Sequence, residues 1–343
     1  MKIAVVGCGA VGSFYGARLA RAGQDVHFLL RSDYEVVRRQ GLSVRSFEGN
    51  FHVHPACARQ PEAIGPSDLV LIGLKTTAND QFARLLPPVV GPASAVLTLQ
   101  NGLGNEEQLA RLFSAEQILG GLCFVCLNRT APGVVHHLAH GQVVLGEFQR
   151  PAGPRTQALA GLFRQAGVPC SATDNLARTH WEKLVWNVPF NGLGVAGAAG
   201  YDAVVRGQLG PGQPLGPCLT TERLLADERW LRLVRELMLE VIGAARALGL
   251  AVPEAQADHH IERTRAMGAY KASTILDFEC GRPLELESMF AEPLRQAQRA
   301  GACAPRLEAL CRVLGQLGSE PESVCAPRNG APMKPAGETP AAG

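Results

Sequence analysis

Residues 1–12 read Met1-Lys2-Ile-Ala-Val-Val-Gly7-Cys8-Gly9-Ala10-Val11-Gly12, a short apolar run that ends in a glycine-rich turn. Ser13 to Ala22 then carries helix-forming residues, Gly23 interrupts them, and Val26 to Leu30 is a second apolar run. Strand, turn, helix and strand within about thirty residues is the length of a βαβ unit. That setting makes the G-x-G-x-x-G pattern of Gly7, Cys8, Gly9, Ala10, Val11 and Gly12 informative, since alone it would be weak. Gly7 permits the tight turn, Gly9 lets a pyrophosphate approach the backbone, and Gly12 lets the helix pack closely on the strand. The phosphates would sit at the helix N-terminus, where free N–H groups and the helix dipole favour an anion.

Further apolar segments recur at Leu69 to Gly73, Ala95 to Leu99, Ile118 to Val125 and Val143 to Leu145, with helical stretches such as Asn105 to Phe113 between several of them. This alternation predicts an α/β domain with a parallel sheet covered on both faces, a Rossmann-type dinucleotide-binding domain over residues 1–173. From about Asp174 the character changes. Asn175 to Trp186 and Asp227 to Leu248 read as long helices, and Gly249 stands just past the second. Residues 254–279 and 286–315 continue in that style, so residues 174–318 are expected to form an all-helical C-terminal domain carrying the substrate and the catalytic groups. The Gly- and Pro-rich stretch Gly207 to Pro217 reads as an exposed loop or insertion. The tail, residues 319–343, is rich in Pro, Gly and Ala without periodicity and is expected to be disordered.

The chain has 343 residues, enough for about two domains with separate cores. With 46% hydrophobic and 19% charged residues it is neither disordered nor fibrous. Lys+Arg 33 against Asp+Glu 31 gives a net charge of +2, so the bulk electrostatics ask for no polyanion: no nucleic acid and no anionic membrane. Apolar stretches such as Asp68 to Leu74 stop well short of the roughly 18 residues of a membrane span. The start resembles a secretory signal superficially, but its glycines break the apolar run such a segment needs. Ten cysteines scattered singly through a long chain fit reduced thiols and a cytoplasmic location. Cys123-Phe-Val-Cys126, followed by His136, His137 and His140, admits a metal or redox pair; the plainer reading is a buried strand in which cysteine acts as a small apolar residue. A homodimer stays open.

A carboxylate after the second strand would accept hydrogen bonds from a ribose 2′-hydroxyl, whereas a cation would pair with a 2′-phosphate. Arg31 stands at that place and Ser32 can add a hydroxyl contact, which favours NADP (NADPH). The alternative is a solvated Arg31 with Asp33 providing an NAD contact. A dinucleotide domain supplies no reaction of its own. The informative segment is Trp181-Glu-Lys183-Leu-Val-Trp-Asn187-Val-Pro-Phe-Asn191: Lys183, Asn187 and Asn191 are four apart, so one continuous helix would align them as a polar stripe among apolar neighbours. Ketone reduction by hydride needs an acid for the developing oxyanion and amide donors to hold the carbonyl. A partly buried lysine, its pKa lowered, can be that acid. The plainer alternative is a surface lysine followed by two capping asparagines, and Pro189 warns of a kink.

Taken together, the glycine loop, Lys75 in Gly-Leu-Lys-Thr-Thr, Gln100-Asn101-Gly102, Lys183-x-x-x-Asn187-x-x-x-Asn191 and Ser273-x-x-x-Asp277 leading to Gly281-Arg282-Pro283-Leu284-Glu285 resemble the ketopantoate reductase family over roughly residues 1–315. The resemblance implies NADPH-dependent reduction of 2-dehydropantoate to D-pantoate, on the way to pantothenate and coenzyme A, in a cleft between the domains. By motif match it implies Lys183 as general acid, with Asn187 and Asn191 on the substrate. It implies Asn101 on cofactor and substrate, Lys75 on the cofactor, and Ser273 on the substrate carboxylate. Glu285 is implied at the nicotinamide side, within reach of a hydrogen bond to the catalytic lysine. Departures stand at Leu276, Leu284, Glu287 and around Tyr201, where the family pattern carries other residues, so the exact 2-oxo acid stays open. A dehydrogenase of another branched or aromatic 2-oxo acid, or a non-catalytic NADP-binding protein, are the rival readings.

Overall fold

The computed structural model describes residues 1–319. The tail expected to be disordered lies outside the described residues, apart from Ser319, which closes the last helix. Ten strands form one sheet: β1 (Lys2–Val6), β2 (Asp25–Leu29), β3 (Leu42–Ser46), β4 (Phe51–Val53), β5 (Ala56–Ala58), β6 (Ser67–Ile72), β7 (Val90–Thr98), β8 (Ile118–Ala131), β9 (Val134–Glu147) and β10 (Cys170–Thr173). Their order is β4-β3-β9-β8-β7-β6-β1-β2-β5, with β10 paired to β9.

The apolar runs are continuous because both faces of the central strands are covered. Ile3, Val5, Leu69, Leu71 and Leu97 pack on one side with Phe14 and Tyr15 of the Ala10–Arg21 helix. Ala4, Val6, Val70, Ile72 and Val96 pack on the other with Phe82, Leu86 and Leu109. The expectation of a parallel sheet needs correcting at one end. β8 and β9 form a long antiparallel hairpin, and β3 pairs antiparallel with β4. The short Pro132-Gly133 connection explains this, since a tight turn can join only antiparallel neighbours and a parallel pair needs a crossover. Cys123 and Cys126 lie buried in β8, as the strand reading expected. The short strands β3, β4, β5 and β10 carry too few apolar residues to be read from sequence.

The first helix after the sheet, Leu176–Ala196, begins three residues past β10, its first turn capped by Asn175 Oδ1 accepting from Arg178 N at 2.9 Å. It runs ten residues beyond Trp186, where the sequence reading ended it, and passes through Pro189 without a break. An interior proline costs a helix about 3 kcal/mol. Against that, Val185, Val188, Phe190 and Leu193 are fully buried, each contributing roughly 1.5–3 kcal/mol, so burial decides. Against this central helix pack Glu228–Ala247, Ala255–Arg265, Ser273–Glu279 and Pro305–Ser319, with the shorter helix Thr221–Ala226 and one π-helical turn over Glu287–Ala291, while Glu292–Arg299 packs on Glu228–Ala247 and Tyr201–Arg206 on Pro305–Ser319. Residues 207–220 contain neither helix nor strand, matching the predicted loop. The second half is thus helical, and it packs on a core of its own.

Candidate active site

Four adjacent parallel strands, β7, β6, β1 and β2, deliver their C-terminal ends to one edge of the sheet. The glycine loop follows β1, Arg31 and Ser32 follow β2, Lys75 follows β6, and Gln100 and Asn101 follow β7. Sheet order therefore collects residues far apart in sequence at the position where open α/β sheets bind ligands. In the loop, a Cβ on Gly7 would lie 2.2 Å from Leu74 N and one on Gly12 would lie 2.2 Å from Gly7 O, whereas one on Gly9 would meet nothing within 4 Å. Gly7 and Gly12 are thus required by packing, and Gly9 leaves its face open for a phosphate. The Cys8 thiol is turned inward to Leu29 O at 3.3 Å, and burial pushes its pKa up, so the loop presents backbone there. Ala10 and Val11 open the helix. These features fit a dinucleotide.

Lys183 comes from the central helix of the second half and donates to Asn101 Oδ1 at 2.8 Å. Its ammonium stands 5.5 Å from the centre of the Phe124 ring of β8. Burial lowers the Lys183 pKa, and neighbouring Cys123 and Glu285 oppose that only in part. Asn187 and Asn191 follow on the same face, both buried. For the Asn187 amide no hydrogen-bond partner is found among the described residues. Asn191 Oδ1 is engaged, accepting from Thr274 N at 3.1 Å, Thr274 Oγ1 at 2.9 Å and more loosely Ser273 Oγ at 3.4 Å. Its carbonyl therefore anchors the helix that starts at Ser273.

Among the described residues no hydrogen bond joins Glu285 to Lys183, the lysine that the resemblance implied. Its carboxylate accepts from Lys75 Nζ at 3.1 Å and from Thr76 N at 2.8 Å. Asp277 completes the pair of acids, accepting from Lys75 Nζ at 2.6 Å. Burial by itself would lower the Lys75 pKa, but the two carboxylates outweigh it and raise the value. Glu285 thus engages the residues just past β6, while its charge still acts on Lys183 from nearby. At β2 the Asp33 carboxylate is buried and bonded to Arg129, while Arg31 is exposed with no partner among the described residues.

The sequence reading missed the group that fixes Asn101. Thr98 Oγ1 donates to Gln100 Oε1 (2.9 Å), Gln100 Nε2 to Asn79 Oδ1 (2.7 Å), Asn79 Nδ2 to Asn105 Oδ1 (3.0 Å) and Asn105 Nδ2 to the Asn101 carbonyl (3.1 Å). Each amide donates to the next, so every orientation in the chain is set by its neighbour. One helical turn before Lys183, His180 pairs with buried Glu106 at 3.0 Å. The only sequence signal for this network was the density of amides around Gln100.

A Rossmann-type sheet joined to a helical half, with an amine reaching the sheet's ligand-binding edge, is the layout of a dinucleotide-dependent oxidoreductase. The profile of the family described as Ketopantoate reductase PanE/ApbA matches residues 3–150, and that of its C-terminal part matches residues 215–318. The chain belongs to the ketopantoate reductase family. A 2-dehydropantoate 2-reductase of Nostoc sp. is 38% identical over 315 residues, covering 90% of this chain and 92% of that one. A crystal structure of 2-dehydropantoate 2-reductase from Geobacter metallireducens is 48% identical, with a TM-score of 0.83 over 92% of this chain and 99% of that one. D-mandelate dehydrogenase, solved with NADH and anilino(oxo)acetate, shares the fold at a TM-score of 0.80 and 18% identity, covering 94% and 99% of the two chains. No helix among the described residues is long and apolar enough to cross a membrane.

Proposed function

We propose that this chain reduces 2-dehydropantoate to D-pantoate with NADPH, in the route to pantothenate and coenzyme A, and that Lys183 gives the ketone oxygen its proton. The observation that carries the reading is the Lys183–Asn101 contact across the two halves, made by an amine whose pKa is lowered by burial. In this reading residues 1–173 hold the cofactor, residues 174–318 supply the catalytic groups, and the cleft between them is the site. The protein works on a small 2-oxo acid in the cytoplasm.

When bound, the reduced nicotinamide supplies the hydride. The backbone of Gly7, Cys8, Gly9, Ala10, Val11 and Gly12 receives the pyrophosphate, and Arg31 with Ser32 receives the 2′-phosphate. Lys75, kept cationic by Asp277 and Glu285, adds a positive charge beside the loop and ties the halves together. Asn101 orients the Lys183 ammonium toward the keto oxygen, where it stabilises the developing negative charge and then yields its proton. Asn187, without a hydrogen-bond partner among the described residues, and the Asn191 amide group hold the substrate. Ser273 serves the carboxylate. Glu285, through Lys75 and Thr76, shapes the nicotinamide side.

The test is NADPH consumption followed by absorbance with 2-dehydropantoate beside other branched and aromatic 2-oxo acids. Preferred turnover of 2-dehydropantoate is expected. Faster turnover of another acid, or binding of NADPH without turnover of any, would overturn it in favour of a different dehydrogenase or a non-catalytic binder.

A further inference from the structure

Strand β8 extends to Ala131 and carries Arg129 to the end of β2. There its guanidinium grips Asp33 in a bidentate pair, Nε to Oδ2 at 2.9 Å and Nη2 to Oδ1. Gly133 N in the following turn donates to Oδ2 at 3.1 Å, and Ser32 Oγ donates to Oδ1 at 2.9 Å. Four donors thus converge on one carboxylate whose side chain is only 8% exposed. Burial would raise the Asp33 pKa, but Arg129, the Gly133 N–H and Ser32 outweigh it and hold the carboxyl below its ordinary range. The next acid along, Glu35, is likewise taken up, by Arg59 Nη2 at 3.0 Å from the neighbouring strand end. Arg31, between β2 and Asp33, is left exposed.

We propose that Arg129 is a specificity-determining residue for the dinucleotide: by clamping Asp33 it withholds the acid that would otherwise accept the ribose 2′-hydroxyl of NADH, and so leaves Arg31 to select a 2′-phosphate. The inference deepens the NADPH reading given above and rests on it. Its physical basis is that an ionised carboxylate with a bidentate guanidinium partner cannot also serve a diol in the same plane. Removal of the guanidinium leaves the buried carboxylate with only the Gly133 N–H and the Ser32 hydroxyl and no opposing charge, which favours turning the side chain toward solvent. A carboxylate just past the second strand is there in position to bond a ribose hydroxyl.

The experiment measures dissociation constants of NADPH and NADH by calorimetry, alongside kcat/KM for each, in the wild type, Arg129→Gln, Asp33→Asn, the double variant and Arg31→Ala. Arg129→Gln is expected to shift the NADPH:NADH ratio toward NADH on the order of tenfold, one charge-assisted hydrogen bond. The double variant should return the ratio to near its wild-type value, because the freed carboxylate is then absent. Asp33→Asn alone should move the ratio by less than about twofold, since a clamped acid reads nothing. An unchanged ratio in Arg129→Gln overturns the clamp. So does a large shift in Asp33→Asn alone, an outcome that decides the matter even if Arg129→Gln does not fold. Arg31→Ala separates the two levels: if it weakens NADPH selectively while Arg129→Gln changes nothing, the clamp fails and the NADPH reading stands. If Arg31→Ala leaves both dinucleotides unaffected, the NADPH reading itself fails.

Discussion

Lys75 and Lys183 each reach from their own half of the chain to the other, and they meet opposite surroundings. Lys75 lands between two carboxylates, Asp277 and Glu285. Lys183 lands on a neutral amide oxygen and an aromatic ring. Both lose water, which penalises the charged amine. At Lys75 the acids outweigh that penalty and raise the pKa; at Lys183 nothing of comparable strength does, and the pKa falls. The same side chain is held as a firm cation at one wall and has its hold on the proton weakened at the other. Residue type therefore says less about role here than the charges within hydrogen-bond reach.

The largest expected effect breaks the comparison from the Lys183 side. Lys183→Ala should lower kcat by about two to four orders of magnitude with NADPH affinity nearly intact; undiminished turnover in steady-state assays would remove the lysine from the mechanism. In the wild type, kcat should fall as pH rises through the Lys183 pKa, because the acid form is the one required. The midpoint should lie below the ordinary lysine value of about 10.4. In Lys183→Arg any remaining activity should lack that falling limb, since a guanidinium keeps its proton.

A smaller change sharpens how Lys183 is aimed. Asn105→Ala cuts the amide chain behind Asn101, and kcat should drop by about tenfold with little change in NADPH affinity. A change confined to thermal stability would reduce the chain to a structural role. At the opposite wall, Asp277→Asn should lower stability by about 1 kcal/mol or less, because half of the Lys75 side chain is exposed and solvent screens the pair. The raised folded-state pKa of Lys75 means that this contribution is complete below the unfolded value of about 10.4 and is lost as pH climbs through the folded one. Melting curves of wild type and variant should accordingly differ at neutral pH and converge in strong alkali. The smallest effect belongs to Ser273→Ala, expected to raise KM for the 2-oxo acid a fewfold at unchanged kcat. A fall in kcat instead would place that hydroxyl nearer the reacting carbon than its loose contact with Asn191 suggests.

The glycine loop and the lysine–asparagine stripe were legible because each sits within one element. Gly7, Gly9 and Gly12 belong to one turn, and Lys183, Asn187 and Asn191 to one helix, where spacing alone assigns a face. Pro189 argued for a kink because the burial that overrides it comes from helices distant in the sequence. The antiparallel β8–β9 hairpin was missed because Pro132-Gly133 was passed over as a turn between two apolar runs. Asp277 was quoted as part of a motif, yet its partner lies 202 residues away. Arg129 stood in no recognisable pattern at all.

By itself the amino-acid order determined a nucleotide-type α/β half, a helical half, and the roster of polar groups available for chemistry, since local periodicity and turn geometry operate over a few residues. Only the tertiary structure decided which of those groups touch: that Lys183 meets Asn101 across 82 residues, that Glu285 serves Lys75, and that Asp33 is occupied by Arg129. Those pairings depend on strand order and on how the two cores pack. The pKa of each amine follows from them, because charge–charge and desolvation energies act through space and not along the chain.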